Sequence, residues 1–375
     1  MRIVGVETRL LEAPLARPMG GSARRPPIRS RRLVVVRLIT DEGFVGYGES
    51  YGTPQSVRAI VEELLAPHLL GSNPLQGTAL ARMVREGIGY HGPKGIVYEA
   101  LSAIDIALWD LRGKALQAPL STLLGGAVAD QVSCYAASVY LGTVDEAEAQ
   151  AASFLEAGFD AIKVKVGAGP DHDREVFRAV RRLAGDRITL MADANGAYDA
   201  KTSIRLGHAL EADGLYWLEE PVPVEDLEGY AEVARALSCY VAGSEGEYTR
   251  HGFRDLLQHG RVDVVQPDVT RCGGVTETWA VATLASAHHR PFSPHCWSSV
   301  FGLAASIHIT AAAPTGLTVE YDAHPNPLKE SLVGTQLTPV RGKLAVPPGP
   351  GLGVEVDEQA LKRLTVWQSA VQAPL

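Results

Sequence analysis

The chain has 375 residues, of which 46% are hydrophobic and 21% charged, and its formal net charge is -8 at pH 7. This composition allows a large buried core and excludes intrinsic disorder. Negative charge gives no general attraction to nucleic acid or anionic lipid, and no run of about eighteen apolar residues predicts a membrane span, so neither is expected as a partner.

The cysteines and the N-terminal residues indicate the compartment. The chain has four cysteines, namely Cys134, Cys239, Cys272 and Cys296. They show no CxxC pair and no disulfide framework spacing, so we expect reduced thiols. The first fifteen residues include Glu7 and Glu12 and lack the uninterrupted apolar core of a signal peptide. We therefore expect a cytoplasmic protein. The partners expected are a small-molecule carboxylate substrate and further copies of the chain in a homo-oligomer.

The first third of the chain predicts an α+β domain. Strands are expected at 2–12, 32–40 and 44–49, and helices at 56–70, 75–85 and 95–116. The last two strands are joined by a short polar turn, which predicts an antiparallel hairpin. The segment 16–31 is rich in Gly, Pro and Arg, so it is expected to be a mobile loop that forms neither strand nor helix.

From residue 131 onward, strands and amphipathic helices alternate. Eight strands are predicted, at 132–138, 160–166, 187–193, 214–219, 239–244, 262–267, 291–294 and 316–320. Polar side chains at their C-terminal ends, from Lys165 to Glu320, follow one another at gaps of 23 to 28 residues. One strand and one helix per repeat predict a parallel β/α barrel with its active site at that end. A barrel of about 250 residues leaves over a hundred for a second domain.

Three carboxylates end successive strands of this predicted barrel. They are Asp193, Glu219 and Glu245, and adjacent strands would bring them together. Grouped carboxylates repel one another unless a cation binds them, and oxygen ligands without His or Cys favour Mg²⁺ first and Mn²⁺ second. The alternative is that these residues cap helices or pair with lysines.

Two lysines on the preceding strand are candidate proton-transfer groups. Lys163 and Lys165 share one face of the strand, because alternate residues of a strand point the same way. A lysine beside a second cation in a partly desolvated cavity is expected to have a lowered pKa and to serve as a base. The alternative is a solvated lysine pair, against which the apolar flanking residues Ile162, Val164 and Val166 argue.

A histidine and an acid end two later strands. Asp268 can accept a hydrogen bond from the imidazole of His295 and fix its tautomer, which makes the histidine a poised acid or base. Glu320 on the last strand has two open interpretations. It donates a hydrogen bond to a developing oxyanion if it is protonated, or it forms a buried pair with an arginine.

This ordered set resembles the enolase superfamily and, within it, the mandelate racemase subgroup. The matching signatures are ALSAIDIALWDLRGK at 100–114, the KxK of Lys163 and Lys165, Asp193 with Asn195, Glu219 in LEEP, Glu245, Asp268 in QPD and His295 in SPHCW. The resemblance implies a (β/α)7β modified TIM barrel beneath an N-terminal α+β capping domain that the C-terminal tail completes. The expected ranges are 1–127 for the capping domain, 128–340 for the barrel and 341–375 for the tail.

The same resemblance implies a role for each site residue. It places Mg²⁺ on the three carboxylates, with Lys165 as base on one face of the substrate and the His295-Asp268 dyad on the other. It also places Lys163 near the substrate carboxylate, with Glu320 assisting and Asn195 contacting the substrate. Asp268 stands where the muconate-cycloisomerase and dipeptide-epimerase branch has a second lysine, which speaks against that branch.

The reaction implied is Mg²⁺-dependent abstraction of the proton next to a carboxylate, through an enediolate. The tail sequences at 320–332 and 347–357 look like those of sugar-acid dehydratases and aldarolactone cycloisomerases, which favours dehydration of an aldonate or aldarate to a 2-keto-3-deoxy acid, by a lyase. A racemase or epimerase and a lactone cycloisomerase are the isomerase alternatives, and a non-catalytic sugar-acid binder is a more distant one. Arg24, Arg25 and Arg29 either reach a distal carboxylate or belong to a solvated loop.

Overall fold

The computed structural model describes residues 1–373, except for the side chains of residues 78 and 85. The strands are β1 Ile3–Met19, β2 Ile28–Thr40, β3 Val45–Ser50, β4 Gln131–Val139, β5 Ala161–Lys165, β6 Thr189–Asp193, β7 Leu215–Glu219, β8 Tyr240–Gly243, β9 Val264–Val265, β10 Val319–Asp322, β11 Lys343–Ala345 and β12 Thr365–Gln372.

The α-helices are α1 Pro54–Ile60, α2 Ala66–Leu69, α3 Gly77–Ile88, α4 Ile96–Leu116, α5 Leu120–Leu123, α6 Val144–Glu156, α7 Pro170–Ala184, α8 Ala200–Glu211, α9 Leu227–Ala236, α10 Thr249–Asp255, α11 Gly274–Ala287, α12 Val300–Ala312, α13 Pro327–Val333 and α14 Glu358–Leu364. A π-helical turn at Val61–Leu65 joins α1 to α2, and another at Leu256–Gly260 extends α10. Within residues 1–373, no helix is both long and apolar enough to cross a membrane.

The capping sheet is antiparallel, with the strand order β12-β1-β2-β3. Its strands β1 and β2 are longer than predicted, and they pair as far as Met19 and Ile28 after a register shift beyond Pro14. The prediction that 16–31 forms no strand was therefore wrong at both ends, and only residues 20–27 lie outside the two strands. Proline and glycine are tolerated there because the irregular register leaves some backbone groups outside the ladder.

The C-terminal tail supplies the first strand of the capping sheet. Strand β12 runs antiparallel to β1, with Gly5 opposite Gln372. Before that strand, the short β11 pairs with the start of β4 at the barrel. The tail thus contacts both parts of the molecule, and the capping sheet is assembled from both ends of the chain.

Strand β3 packs directly on the backbone of helix α4 through two glycines on the same strand face. A Cβ on Gly46 would lie 2.1 Å from the carbonyl oxygen of Ala107, and one on Gly48 would lie 2.0 Å from that of Ala103. Any side chain at these positions would force the helix away from the sheet. The close approach places the end of β3 against the barrel opening, where its residues reach the site described below.

We expect Gly48→Ala to lower the free energy of unfolding by about 3 kcal/mol, because overpacking against a backbone cannot be relieved by a rotamer change. Gly89→Ala is the matched control, since no atom lies within 4 Å of its Cβ position and its φ is -54°. That variant should stay within about 0.5 kcal/mol of the parent. Urea unfolding of the three proteins measures the difference, and equal midpoints for all three would contradict the packing argument.

The second sheet is a curled parallel sheet with the order β10-β4-β5-β6-β7-β8-β9. Residues 291–295 close it into a barrel. The amide of Ser293 donates to the carbonyl of Val265 on one side at 3.0 Å, and the amide of Leu317 donates to the carbonyl of Phe292 on the other at 2.8 Å. The expected α/β barrel beneath an antiparallel N-terminal sheet is confirmed.

The predicted seventh strand, 291–294, is present as isolated bridges and not as a regular strand. Pro291 and Pro294 bracket this segment, and proline has no N–H to donate to a ladder, so the pairing is interrupted at both ends. Two further strands are displaced or shorter than predicted, since β9 covers Val264–Val265 and β10 covers Val319–Asp322. The polar residues that end the strands are still aligned at one rim, because the parallel register pairs Lys165 with Asp193 and Asp193 with Glu219.

Candidate active site

A cavity of ≈ 290 Å³ lies between the capping sheet and the C-terminal ends of the barrel strands. Residues of the loop between β1 and β2 line its outer wall, and Tyr51, next to the end of β3, lines its side. Lys165, Glu245 and His295 form part of its floor. The cavity thus lies between the two sheets, with Lys165, Glu245 and His295 on its barrel side.

Three buried carboxylates meet beside this cavity. Asp193 and Glu219 are the last residues of β6 and β7, and Glu245 is the second residue after β8. One oxygen from each lies within 4.8 Å of the other two. Burial raises the pKa of Glu219 to about 8, although the neighbouring Lys163 opposes this. Because buried carboxylates at this separation destabilise one another, the donor set fits a divalent cation with a preference for oxygen ligands.

The two lysines of β5 both point into the barrel, but they lie at different depths. Lys163 is fully buried, and its Nζ donates to Glu219 Oε1 at 2.6 Å and lies 3.0 Å from Glu320 Oε1. Lys165 lies nearer the cavity, where its Nζ donates to Asp193 and, at 2.8 Å, to Asn195 Oδ1. Lys163 thus neutralises charge beneath the site, while Lys165 faces the space above it.

The expectation of a lowered lysine pKa was wrong for this arrangement. Burial lowers the pKa of Lys165, but Asp193 and the other carboxylates raise it by more than burial and the charge of Lys163 lower it. The same balance raises the pKa of Lys163 well above its usual value. The sequence placed the lysines together correctly, but it did not show that each of them would donate a hydrogen bond to a carboxylate.

Asp268 and His295 form a hydrogen-bonded pair. The His295 Nδ1 lies 2.7 Å from Asp268 Oδ2, while Asp268 Oδ1 accepts hydrogen bonds from the amide and the hydroxyl of Thr270 at 2.7 and 2.6 Å. The other ring nitrogen, Nε2, lies 2.8 Å from Glu245 Oε2. Burial lowers the pKa of His295, but the carboxylates, Glu245 first, raise it well above its usual value. The structure therefore holds the imidazole between two acids.

Glu320 is also buried at this rim, and its cationic partner is Lys163, not an arginine. The interpretation of Glu320 as one half of a pair with arginine was therefore wrong. Its other oxygen, Oε2, accepts a hydrogen bond from the amide of Cys296 at 3.3 Å.

The arginines of the loop between β1 and β2 differ in position. Arg24 and Arg25 are exposed and line the cavity, whereas the exposed Arg29 does not line it. A pair of backbone hydrogen bonds between Ser22 and Arg25 forms a tight turn at the tip of this loop. The side chains of Arg24 and Arg25 thus form part of the cavity wall.

Several lining residues were missed by the sequence analysis. Glu220 lines the cavity, its φ of 42° is in the left-handed region, and burial raises its pKa to about 7. Its position directly after Glu219 in LEEP was the available signal. Tyr51 and Arg271 also line the cavity. No local pattern marks them, since Tyr51 follows a capping strand and Arg271 follows a barrel strand.

The chain matches two family models that together cover most of its length. Residues 6–125 match the N-terminal domain of mandelate racemase / muconate lactonizing enzyme, and residues 146–360 match the enolase C-terminal domain-like model. These two ranges contain most of β1, all of β2 and β3, and the cavity-lining residues Lys165, Glu245 and His295.

Among curated proteins, the chain is 36% identical to the D-galactarolactone cycloisomerase of Agrobacterium fabrum, over 96% of this chain and 98% of that protein. It is 31% identical to the arabinonate dehydratase of Saccharolobus solfataricus, over 86% of this chain and 88% of that protein. A crystal structure of L-talarate/galactarate dehydratase from Salmonella typhimurium, liganded with Mg and L-lyxarohydroxamate, superposes with a TM-score of 0.90 at 31% identity, covering 99% of this chain and 95% of that one.

Proposed function

The chain belongs to the mandelate racemase subgroup of the enolase superfamily, and we propose that it is a Mg²⁺-dependent dehydratase of sugar acids. Its relatives include sugar-acid dehydratases and a lactone cycloisomerase, so the family resemblance and the assignment as an enzyme are confirmed. One observation carries the proposal. Lys165, the last residue of β5, and His295, in the segment after β9, lie on either side of a buried carboxylate triad at one end of the barrel.

We assign the ion to Asp193, Glu219 and Glu245, with Mg²⁺ preferred over Mn²⁺. A cation held there would supply positive charge that stabilises the negative charge developing on the substrate carboxylate as the α-proton leaves. It would also offset the negative charge of the protein carboxylates, which raises the pKa of the lysines. The support for Mg²⁺ is the all-oxygen donor set together with the Mg-containing structure of the dehydratase relative.

The side chains divide the proton transfers between them. In this proposal the neutral amine of Lys165 removes the α-proton from one face of the substrate, and Asn195 orients that Nζ through the 2.8 Å hydrogen bond. Lys163 lies beneath the site, where its positive charge attracts the substrate carboxylate, and Glu320, 3.0 Å from Lys163 Nζ, holds that ammonium group in place. His295, held by Asp268, gives a proton to the β-hydroxyl, so the carbon–oxygen bond breaks and water leaves.

A lactone cycloisomerase is the second candidate. It is favoured by the 36% identity to D-galactarolactone cycloisomerase over 98% of that protein. The same base would remove the α-proton, and the leaving group would be the lactone ring oxygen, which stays attached to the product as part of a carboxylate. A racemase or epimerase would return the proton to the same carbon. A non-catalytic binder would leave that proton in place.

One experiment separates these candidates. The purified protein is incubated in D₂O with MgCl₂ and a panel of aldonic acids, aldaric acids and their lactones, and the reaction is followed by NMR. Appearance of a 2-keto-3-deoxy acid from an open-chain acid supports the dehydratase. A ring-opened product formed only from lactones supports the cycloisomerase instead. Binding of a sugar acid with no loss of any α-proton would reject both.

The loop arginines suggest a preference among acids. We propose that Arg24 and Arg25 bind a second carboxylate, because their positive charges line the cavity and belong to the loop between β1 and β2, not to the barrel rim that carries the carboxylate triad. Arg25→Ala is then expected to raise KM for an aldaric acid about tenfold and to change KM for the matching aldonic acid less than about threefold. Arg29→Ala is the matched control, since this neighbouring arginine is exposed and does not line the cavity. Equal effects of Arg25→Ala on both acids would argue against the second-carboxylate site.

A further inference from the structure

The end of β3 contacts the His295-Asp268 pair from the opposite sheet. Tyr51 directly follows the last residue of β3, and its hydroxyl donates a hydrogen bond to Asp268 Oδ2 at 3.2 Å. Oδ2 is the same oxygen that lies 2.7 Å from His295 Nδ1. A residue of the capping sheet is thus bonded to the acid that holds the barrel's histidine.

The hydrogen bonds of Asp268 show what this contact adds. An ionised carboxylate offers about four acceptor sites, and here Oδ1 is satisfied by the amide and the hydroxyl of Thr270. Oδ2 accepts hydrogen bonds from Nδ1 of His295 and from the hydroxyl of Tyr51. Without the tyrosine hydroxyl, the oxygen that orients the imidazole would keep a single donor. Burial raises the pKa of Tyr51 well above its usual value, so the hydroxyl stays protonated and remains a donor.

Glu49, near the end of β3, also contacts the segment that follows His295. Glu49 is fully buried and accepts hydrogen bonds from the amide of Ser299 at 2.9 Å and the amide of Gly302 at 2.8 Å, at the start of α12. The ring of Tyr51 also packs edge-on against Trp297, with ring centroids 5.7 Å apart. The end of β3 therefore contacts both the acid and, through Trp297 and Ser299, the segment that follows His295.

We propose that Tyr51 is a positioning residue for the His295-Asp268 pair, supplied by the capping sheet. Seating of this sheet on the barrel then completes the hydrogen bonding of the pair as well as covering the cavity. The inference rests on the proposed function for its effect on turnover. The hydrogen bond itself can be tested without any substrate.

The test compares Tyr51→Phe with the parent protein. Phenylalanine keeps the ring contact with Trp297 and removes only the hydroxyl. Tyr47→Phe is the matched control. It removes the hydroxyl of a tyrosine within β3, and that hydroxyl bonds Glu358 outside the cavity. In protein labelled with ¹⁵N-histidine, the Nδ1–H resonance of His295 is identified by its absence in His295→Asn.

In Tyr51→Phe this resonance should move to lower field, because Asp268 loses a donor and attracts the imidazole proton more strongly. In Tyr47→Phe it should stay where it is. Incorporation of 3-fluorotyrosine at position 51, whose hydroxyl is a stronger donor, should move it to higher field. An unchanged resonance in both position-51 proteins overturns the proposal, whether or not the parent turns over any sugar acid.

With an active substrate, Tyr51→Phe should lower kcat by roughly tenfold to a hundredfold, as expected for a lost hydrogen bond to a charged group, and should change KM less than about threefold. A raised KM with unchanged kcat would overturn the positioning role and make Tyr51 a substrate contact instead. Parent protein without turnover would count against the proposed function alone, since the resonance decides the role of Tyr51.

Discussion

Lys165→Ala is expected to lower kcat by about a thousandfold, because a positioned proton-transfer group typically contributes 10²- to 10⁴-fold to a rate. Its Nζ faces the cavity, close to Asp193 and Asn195, so no other described lysine can take its place. The measurement is kcat on the best acid of the panel, together with loss of the α-proton in D₂O. We expect both to fall together in this variant.

His295→Asn provides the internal comparison for that result. Asparagine can keep a hydrogen bond to Asp268, but it cannot transfer a proton. If Lys165 removes the α-proton and His295 acts on the leaving hydroxyl, this variant should lose product formation by a similar factor while still exchanging the α-proton with solvent. Exchange that survives in Lys165→Ala and disappears in His295→Asn would reverse the two assignments, and exchange at the parent rate in both would remove both residues from proton abstraction.

Glu219→Gln is expected to weaken Mg²⁺ binding by at least about a hundredfold and to abolish turnover. The reason is that even residues which only support metal ligands typically contribute 10- to 100-fold to metal affinity. Glu219 also accepts hydrogen bonds from Lys163 through its Oε1 and from Gln266 through its Oε2, so its carboxylate is held in place. Replacing it by glutamine removes one negative charge at this position. Calorimetric titration of EDTA-treated protein with MgCl₂ measures the affinity directly.

The adjacent residue gives a sharp control for this prediction. Glu220 is also buried, but its Oε1 accepts a hydrogen bond from Ser244 at 3.0 Å, and it is not one of the three grouped carboxylates. Glu220→Gln should change the Mg²⁺ affinity less than about fivefold. A second readout needs no substrate, because Mg²⁺ at a hundred times its Kd should stabilise the parent by about 2.7 kcal/mol. Stabilisation of Glu219→Gln by the same amount would exclude Glu219 as a ligand.

The barrel could be predicted because its signal is local and repeated. Each repeat contains an apolar strand, a polar residue at its end and an amphipathic helix, and the gaps between these residues are set by the length of one such unit. Parallel strands then place their C-terminal ends at one rim, whatever the details of each loop. The grouping of Asp193, Glu219 and Glu245 followed from this rule alone, and so did the pairing of His295 with Asp268. Their chemical roles stay predictions.

The tertiary structure decided the features that depend on distances between side chains from different repeats. The sequence set Lys163 and Lys165 side by side and suggested mutual repulsion, but the fold placed each of them against a carboxylate, which reversed the expected direction of the pKa shift. Likewise, Glu320 was found beside Lys163, not beside an arginine. Burial and charge balance act over a few ångströms, and sequence spacing does not report such distances.

Contacts between the capping sheet and the barrel were also decided only by the tertiary structure. Tyr51 and Asp268 are 217 positions apart, and their hydrogen bond joins the end of β3 in the capping sheet to the barrel. A periodic pattern records which face of a strand or helix is buried, but not which distant surface covers it. The sequence by itself therefore determined the repeat and the residues at its rim. The packing of one sheet on the other determined which partners those residues meet.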